Sequence, residues 1–183
     1  MFDLPRSVEI DGVEWSIRSD YRDILTILSA FDDPNLENAD KVYICLSGFY
    51  VDFDMLSEDN YVKAFEAAMG FIDHGCGEGK GRKTMDWEQD ANMLFPAVNK
   101  VAGYEVRAVE YMHWWTFLGL FMEISEGTYS TVLSLRSKKY GGKKLEKWEL
   151  EWWSKNKAIC EIKTRYSDEE LAEQARLNAL IGG

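Results

Sequence analysis

Residues 87–140 read WEQDANMLFPAVNKVAGYEVRAVEYMHWWTFLGLFMEISEGTYSTVLSLRSKKY, and their reading decides the fold. The apolar residues recur every three or four positions rather than alternating, which is the pattern of helices with buried faces. Residues 86–102 predict an amphipathic helix through Trp87, Met93, Leu94, Val98 and Val101, with Glu88 and Asp90 as first-turn acids and Gly103 as its stop. Pro96 should kink it, because the ring removes one backbone hydrogen bond and crowds the preceding turn. Residues 106–124 predict one long helix, apolar over most of its circumference and so buried on nearly all sides. Residues 128–139 predict a further helix that runs into a basic turn.

Before this stretch, Val8-Glu9-Ile10-Asp11-Gly12-Val13-Glu14-Trp15-Ser16-Ile17 alternates apolar and polar residues around Asp-Gly. That dipeptide tolerates the positive φ of a type I′ turn, so the segment predicts a β-hairpin. Ser19 or Asp20 caps a helix through Tyr21, Ile24, Leu25, Ile27, Leu28 and Phe31, ended by Asp33-Pro34. Residues 41–50 predict a short apolar helix, and Ser57 opens another through Tyr61, Phe65, Ala68, Met69 and Ile72. After it, residues 75–84 have the composition of a flexible linker. Residues 143–160 predict a helix carrying Trp148, Trp152 and Trp153, and Ser167 with Glu170 forms a capping box for a last helix through Leu180. The expected fold is therefore mainly α, a helical bundle with a small N-terminal β-hairpin. It divides into an acidic helical half with the hairpin (1–74), a Gly-rich linker (75–84) and a helical half with an aromatic core (85–183).

Hydrophobic residues make up 46% of the 183 and aromatics 14%, which excludes a disordered chain. No apolar run approaches the roughly 18–20 residues of a membrane span, and the N-terminus lacks the pattern of a secretory signal. A soluble, cytosolic protein is expected. The three cysteines are widely spaced with no C-x-x-C pair, so neither a disulfide framework nor a zinc cage is expected. Cys45 and Cys160 read as core fillers.

Charge is lopsided. Residues 1–75 hold 16 acids against 5 bases, whereas residues 76–183 hold 16 of each. The acidic half disfavours nucleic acid and reads either as a solvated face or as a docking surface for a basic partner.

Catalytic groupings are wanting. His113 stands beside Trp114-Trp115 with no second ligand or activated nucleophile near it in sequence, so it reads as a hydrogen-bonded core histidine. The alternating glycines of the linker lack the G-x-x-x-x-G-K-[ST] spacing of a phosphate loop. No catalytic residue, metal or cofactor is expected, although a small hydrolase centred on Cys76 or His113 is an alternative. Arg136, Lys138, Lys139, Lys143, Lys144 and Lys147 form a basic cluster interleaved with Tyr140 and Trp148. It reads as solvated surface, protein docking site, or weak single-strand nucleic-acid site. The candidate partner surface comprises Arg136, Lys138, Lys139, Lys143, Lys144, Trp148 and Trp152, since exposed Trp anchors concentrate binding energy.

The order of these features resembles the bacteriophage gene-product-fifteen family of tailed phages infecting Gram-positive bacteria. The hairpin opening runs from Ser7 to Arg22, and the acidic helix start is Trp87-Glu88-Gln89-Asp90-Ala91. Val109 to Phe117 carries the E-Y-x-H-W-W-x-F phrase, followed by Ser125-Glu126-Gly127-Thr128. The resemblance implies a gene between those of the major tail protein and the tape-measure protein, the slot of tail assembly chaperones. It thus implies a non-enzymatic late assembly factor in the infected host's cytoplasm. Its partners would be the tape-measure protein, the tail-tube protein and a second copy of itself. A phage regulatory or nucleic-acid-binding protein using the turn 136–147 is the alternative.

Overall fold

A computed structural model of the chain describes residues 3–74 and 82–181. Most of the expected linker, including Cys76, lies outside them. The chain is mainly α-helical with one two-stranded antiparallel hairpin, as its sequence patterning predicts.

The hairpin pairs β1 (Ser7–Ile10) with β2 (Val13–Ser16), setting Val8 opposite Trp15 and Glu9 opposite Glu14. Asp11 and Gly12 both take positive φ, 51° and 79°, the pair of values a type I′ turn requires. An isolated two-stranded hairpin is marginal in water, and this one is docked. Ile10 and Ile17 are buried, Ile17 bridges to Tyr50, and Asp11 pairs with Lys63 at 2.6 Å.

Helices α1 (Tyr21–Phe31), α2 (Asn38–Phe49) and α3 (Tyr61–Asp73) follow, with two 3₁₀ turns, Phe53–Met55 and Glu58–Asn60, between the last two. Asp20 caps α1 by accepting the Arg22 amide at 2.9 Å. Beyond residue 82 come α4 (Ala91–Ala102), α5 (Trp114–Met122), α6 (Thr128–Tyr140), α7 (Lys147–Lys155), α8 (Lys157–Cys160) and α9 (Asp168–Ile181). One main core takes Ile24, Leu46, Phe49, Ala68 and Ile72 from before the linker and Leu94, Val98, Trp114 and Phe117 from after it. The two helical halves therefore share a single apolar interior. At its centre the rings of Tyr21 and Phe117 stack at 4.4 Å and 7°. Leu135, Leu145, Trp153 and Cys160 form a second, smaller cluster.

The three largest differences from the sequence reading lie in the second half of the chain. Residues 106–124 are not one helix. Val106–Ala108 is a 3₁₀ turn, 109–113 is extended, and α5 starts at Trp114. The cause is pairing with the α1 entry. The amides of Tyr21 and Trp114 donate to the carbonyls of Met112 and Ser19, at 3.0 and 2.7 Å, and Asp20 Oδ2 accepts the Met112 amide at 3.0 Å. The Arg22 guanidinium also donates to the Val109 and Glu110 carbonyls. With its backbone groups bound there, the segment gains nothing from helix.

Helix α4 starts at Ala91 rather than 86, because the Asp86 carboxylate accepts the amides of Glu88 and Gln89 at 3.1 and 2.9 Å and holds 86–90 as a turn. Residues 143–160 hold two helices. The first is opened by a capping box of Glu146 with Glu149, and the break falls at Asn156, whose side chain donates to the Trp152 carbonyl at 2.9 Å. The last helix has the expected box: Ser167 Oγ accepts the Glu170 amide and Glu170 accepts that of Ser167.

Candidate functional site

The His-Trp-Trp phrase is structural. His113 takes extended dihedrals, φ −60° and ψ 139°, and its Nδ1 accepts the Trp115 amide at 3.0 Å, so the ring caps its own helix. Nε2 lies 2.9 Å from the Pro5 carbonyl oxygen, which ties the chain start to the core. Burial pushes the imidazole below its ordinary value, while the Pro5 contact pulls the other way. A neutral ring with Nε2–H donating fits both contacts. Trp114 and Trp115 point back at α3, donating to the carbonyls of Ile72 at 2.8 Å and Phe71 at 2.9 Å. A helix leaves its last four carbonyls unpaired, and these two indoles satisfy two of them.

Arg136, which the sequence groups with a basic surface cluster, is instead the centre of the other buried polar cluster. Arg136 is 1% exposed and cannot meet a partner. It lies on α6 one and two turns beyond Val132 and Tyr129, both buried, and uses all five N–H groups. Two grip Asp90, at 2.6 and 2.9 Å, and the others reach the carbonyls of Cys160, Ile159 and Thr84 at 2.8, 2.8 and 3.2 Å. Asp86, next to it, receives Lys83 at 3.1 Å and Arg165 at 2.8 Å. Burial raises the Asp86 carboxyl, but the Gln89 amide, Lys83 and Arg165 outweigh it and hold the group below its ordinary value. The network joins the exit from the linker, the start of α4, the middle of α6 and residues 159–165.

The rest of the expected basic surface is divided. Lys138 pairs with the buried Glu149, and the Lys139 ammonium lies 3.9 Å from the centre of the Trp153 ring. Trp152 is half-buried against the smaller core. Lys143, Lys144, Lys147 and Trp148 are exposed, and Trp148 donates to Glu146 at 2.8 Å. The thiol of Cys45 is fully buried and pushed up to about 12, so it stays protonated and packs as an apolar group. Cys160 is likewise buried, and its burial raises the thiol. Among the described residues, no group of three or more His, Cys, Asp or Glu is placed to hold a metal ion.

Compared with known proteins, residues 1–162 match the family described as Bacteriophage Gp15 protein. The chain belongs to that family. No curated protein and no solved structure matches it. Membership makes this a bacteriophage protein and points to structural or assembly work. The match takes in the hairpin, the His-Trp-Trp cap and the Arg136–Asp90 pair, and ends before Arg165 and α9. No helix among the described residues is long and apolar enough to cross a membrane.

Proposed function

We propose that this protein is a non-enzymatic tail assembly chaperone that binds the tape-measure protein during tail morphogenesis in the cytoplasm of the infected host. The observation that carries the reading is the family match over residues 1–162. Two features of the chain support it. The groups best suited to chemistry, His113, Asp86, Asp90 and Arg136, are bound in internal hydrogen bonds. Large apolar side chains stand exposed on the surface, among them Met55, Val62 and Trp148. A chaperone of this kind works by covering the apolar stripe of a helical client until assembly takes it over.

Co-expression with the tape-measure protein of the same phage is the test. The expected result is a soluble complex of the two and an insoluble tape-measure protein without its partner. Separate behaviour of the purified proteins, with neither solubilising the other, would overturn the reading.

A second reading, nucleic-acid binding at the basic turn, is favoured by the exposure of Lys143, Lys144, Lys147 and Trp148. A salt-dependent shift of RNA mobility, lost on Lys→Ala changes at these positions, would establish it.

A further inference from the structure

Exposed apolar surface gathers beside the N-terminal end of α2. Tyr43 is 56% exposed, Val62 70% and Met55 78%. The Tyr43 ring meets Phe53 edge-on at 5.2 Å, and Phe53 lies 5.7 Å from Tyr61. Phe53, Tyr61 and Val42 are half-buried against the main core, so the exposed rings sit on a fixed floor. A shallow groove of about 600 Å³ runs here, lined by Asn38, Ala39, Asp40, Val42, Tyr43 and Tyr61. Met55 stands two residues from Phe53 and Val62 one from Tyr61 in the chain, and a flexible Met near fixed aromatic rings suits the uneven ridge of a helix.

Charge decides what the groove takes. Residues 37–62 hold six exposed acids, Glu37, Asp40, Asp52, Asp54, Glu58 and Asp59, against the single base Lys41. Lys41 is turned inward, its Nζ donating to the Phe31 carbonyl at 2.9 Å. Asp52, Asp54, Glu58 and Asp59 make no ion pair with a described residue. An apolar seam with an acidic rim repels nucleic acid and anionic lipid. A second copy docked face to face would set acid against acid. The chain's own α9, with four acids and one base, meets the same repulsion. We infer that the face formed by Val42, Tyr43, Phe53, Met55, Tyr61 and Val62 docks the apolar side of a basic amphipathic helix on a partner protein. This rests on the assembly reading only for the partner's identity, the helical tape-measure protein.

The probe is a synthetic helical peptide of about 18 residues, leucine on one face and lysine elsewhere, titrated into the full chain by fluorescence anisotropy. A twin with glutamate for lysine is the control. The lysine peptide is expected to bind, more weakly as salt rises, and the glutamate peptide not to bind. Tyr43→Ala combined with Val62→Ser should weaken binding about tenfold or more, while Tyr104→Ala, at another exposed aromatic, leaves it unchanged. Both altered side chains are exposed, and an unchanged thermal melt checks that the variant is folded.

Equal binding of the lysine peptide to wild type and variant, no binding to wild type, or equal binding of both peptides would overturn the proposal. So would dimerisation of the free chain that the same substitutions abolish. The tape-measure protein is titrated in parallel. If it binds wild type and variant alike, the face is wrong and the chaperone reading stands. If it does not bind while the lysine peptide does so through Tyr43, the face stands and the tape-measure assignment falls.

Discussion

Arg136 and Asp90 make the sharpest residue-level predictions. Removing one member of a buried, bidentate ion pair strands the other charge without water. Asp90→Ala should therefore lower stability by about 3–5 kcal/mol in urea unfolding, well beyond the cost of its packing. Tyr129, on the same face of α6, has a buried hydroxyl with no hydrogen-bond partner among the described residues. Tyr129→Phe should accordingly be neutral or stabilising by up to about 1 kcal/mol, the opposite of an ordinary core truncation. Composition counts Arg136 with its lysine neighbours and so points to the surface. The informative signal is its spacing, four residues after Val132 and seven after Tyr129, which puts it on the apolar face of its helix. Its partner was legible too, since Asp90 precedes the buried Leu94 and Val98 by four and eight residues. His113 was legible as a core histidine. Its capping of α5 was not, because the helix start it caps lies inside an unbroken apolar run.

At the scale of elements, the features written in short-range chemistry are the ones a sequence declares. Asp11-Gly12 fixed the hairpin, and Ser167 with Glu170 fixed the start of α9. The extended segment 109–113 escaped that reading because tertiary hydrogen bonds to Ser19, Asp20, Tyr21 and Arg22 hold it, some 90 residues away in sequence. Helix propensity alone is a weak guide where such partners exist. Trp115 links α5 to the last turn of α3, so Trp115→Phe keeps one aromatic ring but loses the pyrrole part of the indole and its hydrogen bond to a helix-end carbonyl. The expected cost is about 1 kcal/mol, read from the unfolding midpoint at constant slope. Helix α9 stands at the other extreme. Every side chain described in it is exposed, and its start is tied to the body by the Asp168 amide donating to Asn35 at 2.8 Å. Truncation after residue 167 should change stability by less than about 1 kcal/mol. A larger loss would mean that α9 packs against the body.

For the whole molecule, the shared core implies that the two helical halves unfold together, with acid as the natural denaturant. His113 and Asp86 both sit below their ordinary values of 6.5 and 3.8 in the folded chain. In each case the unfolded chain binds the proton more readily, so each contributes stability above its unfolded value that is lost as pH falls. Stability should decline first below about 6.5 and again below about 3.8, with the first step absent in His113→Asn, which keeps a capping side chain. Urea unfolding across that range measures both steps. The charge asymmetry seen in sequence gains a location in the fold: acids rim an apolar face near α2, while Arg136, Lys138 and Lys139 of α6 are paired or stacked. The sequence offers both the acidic half and the basic turn as partner surfaces, but not the seam itself, because exposure of an aromatic seam depends on how α2, the 3₁₀ turns and α3 meet. Hydrogen exchange of the chain, alone and mixed with the tape-measure protein, tests the central claim most directly. The account predicts slowed exchange over residues 38–62 on mixing, with α9 unchanged. Identical exchange in both samples at every residue would contradict it.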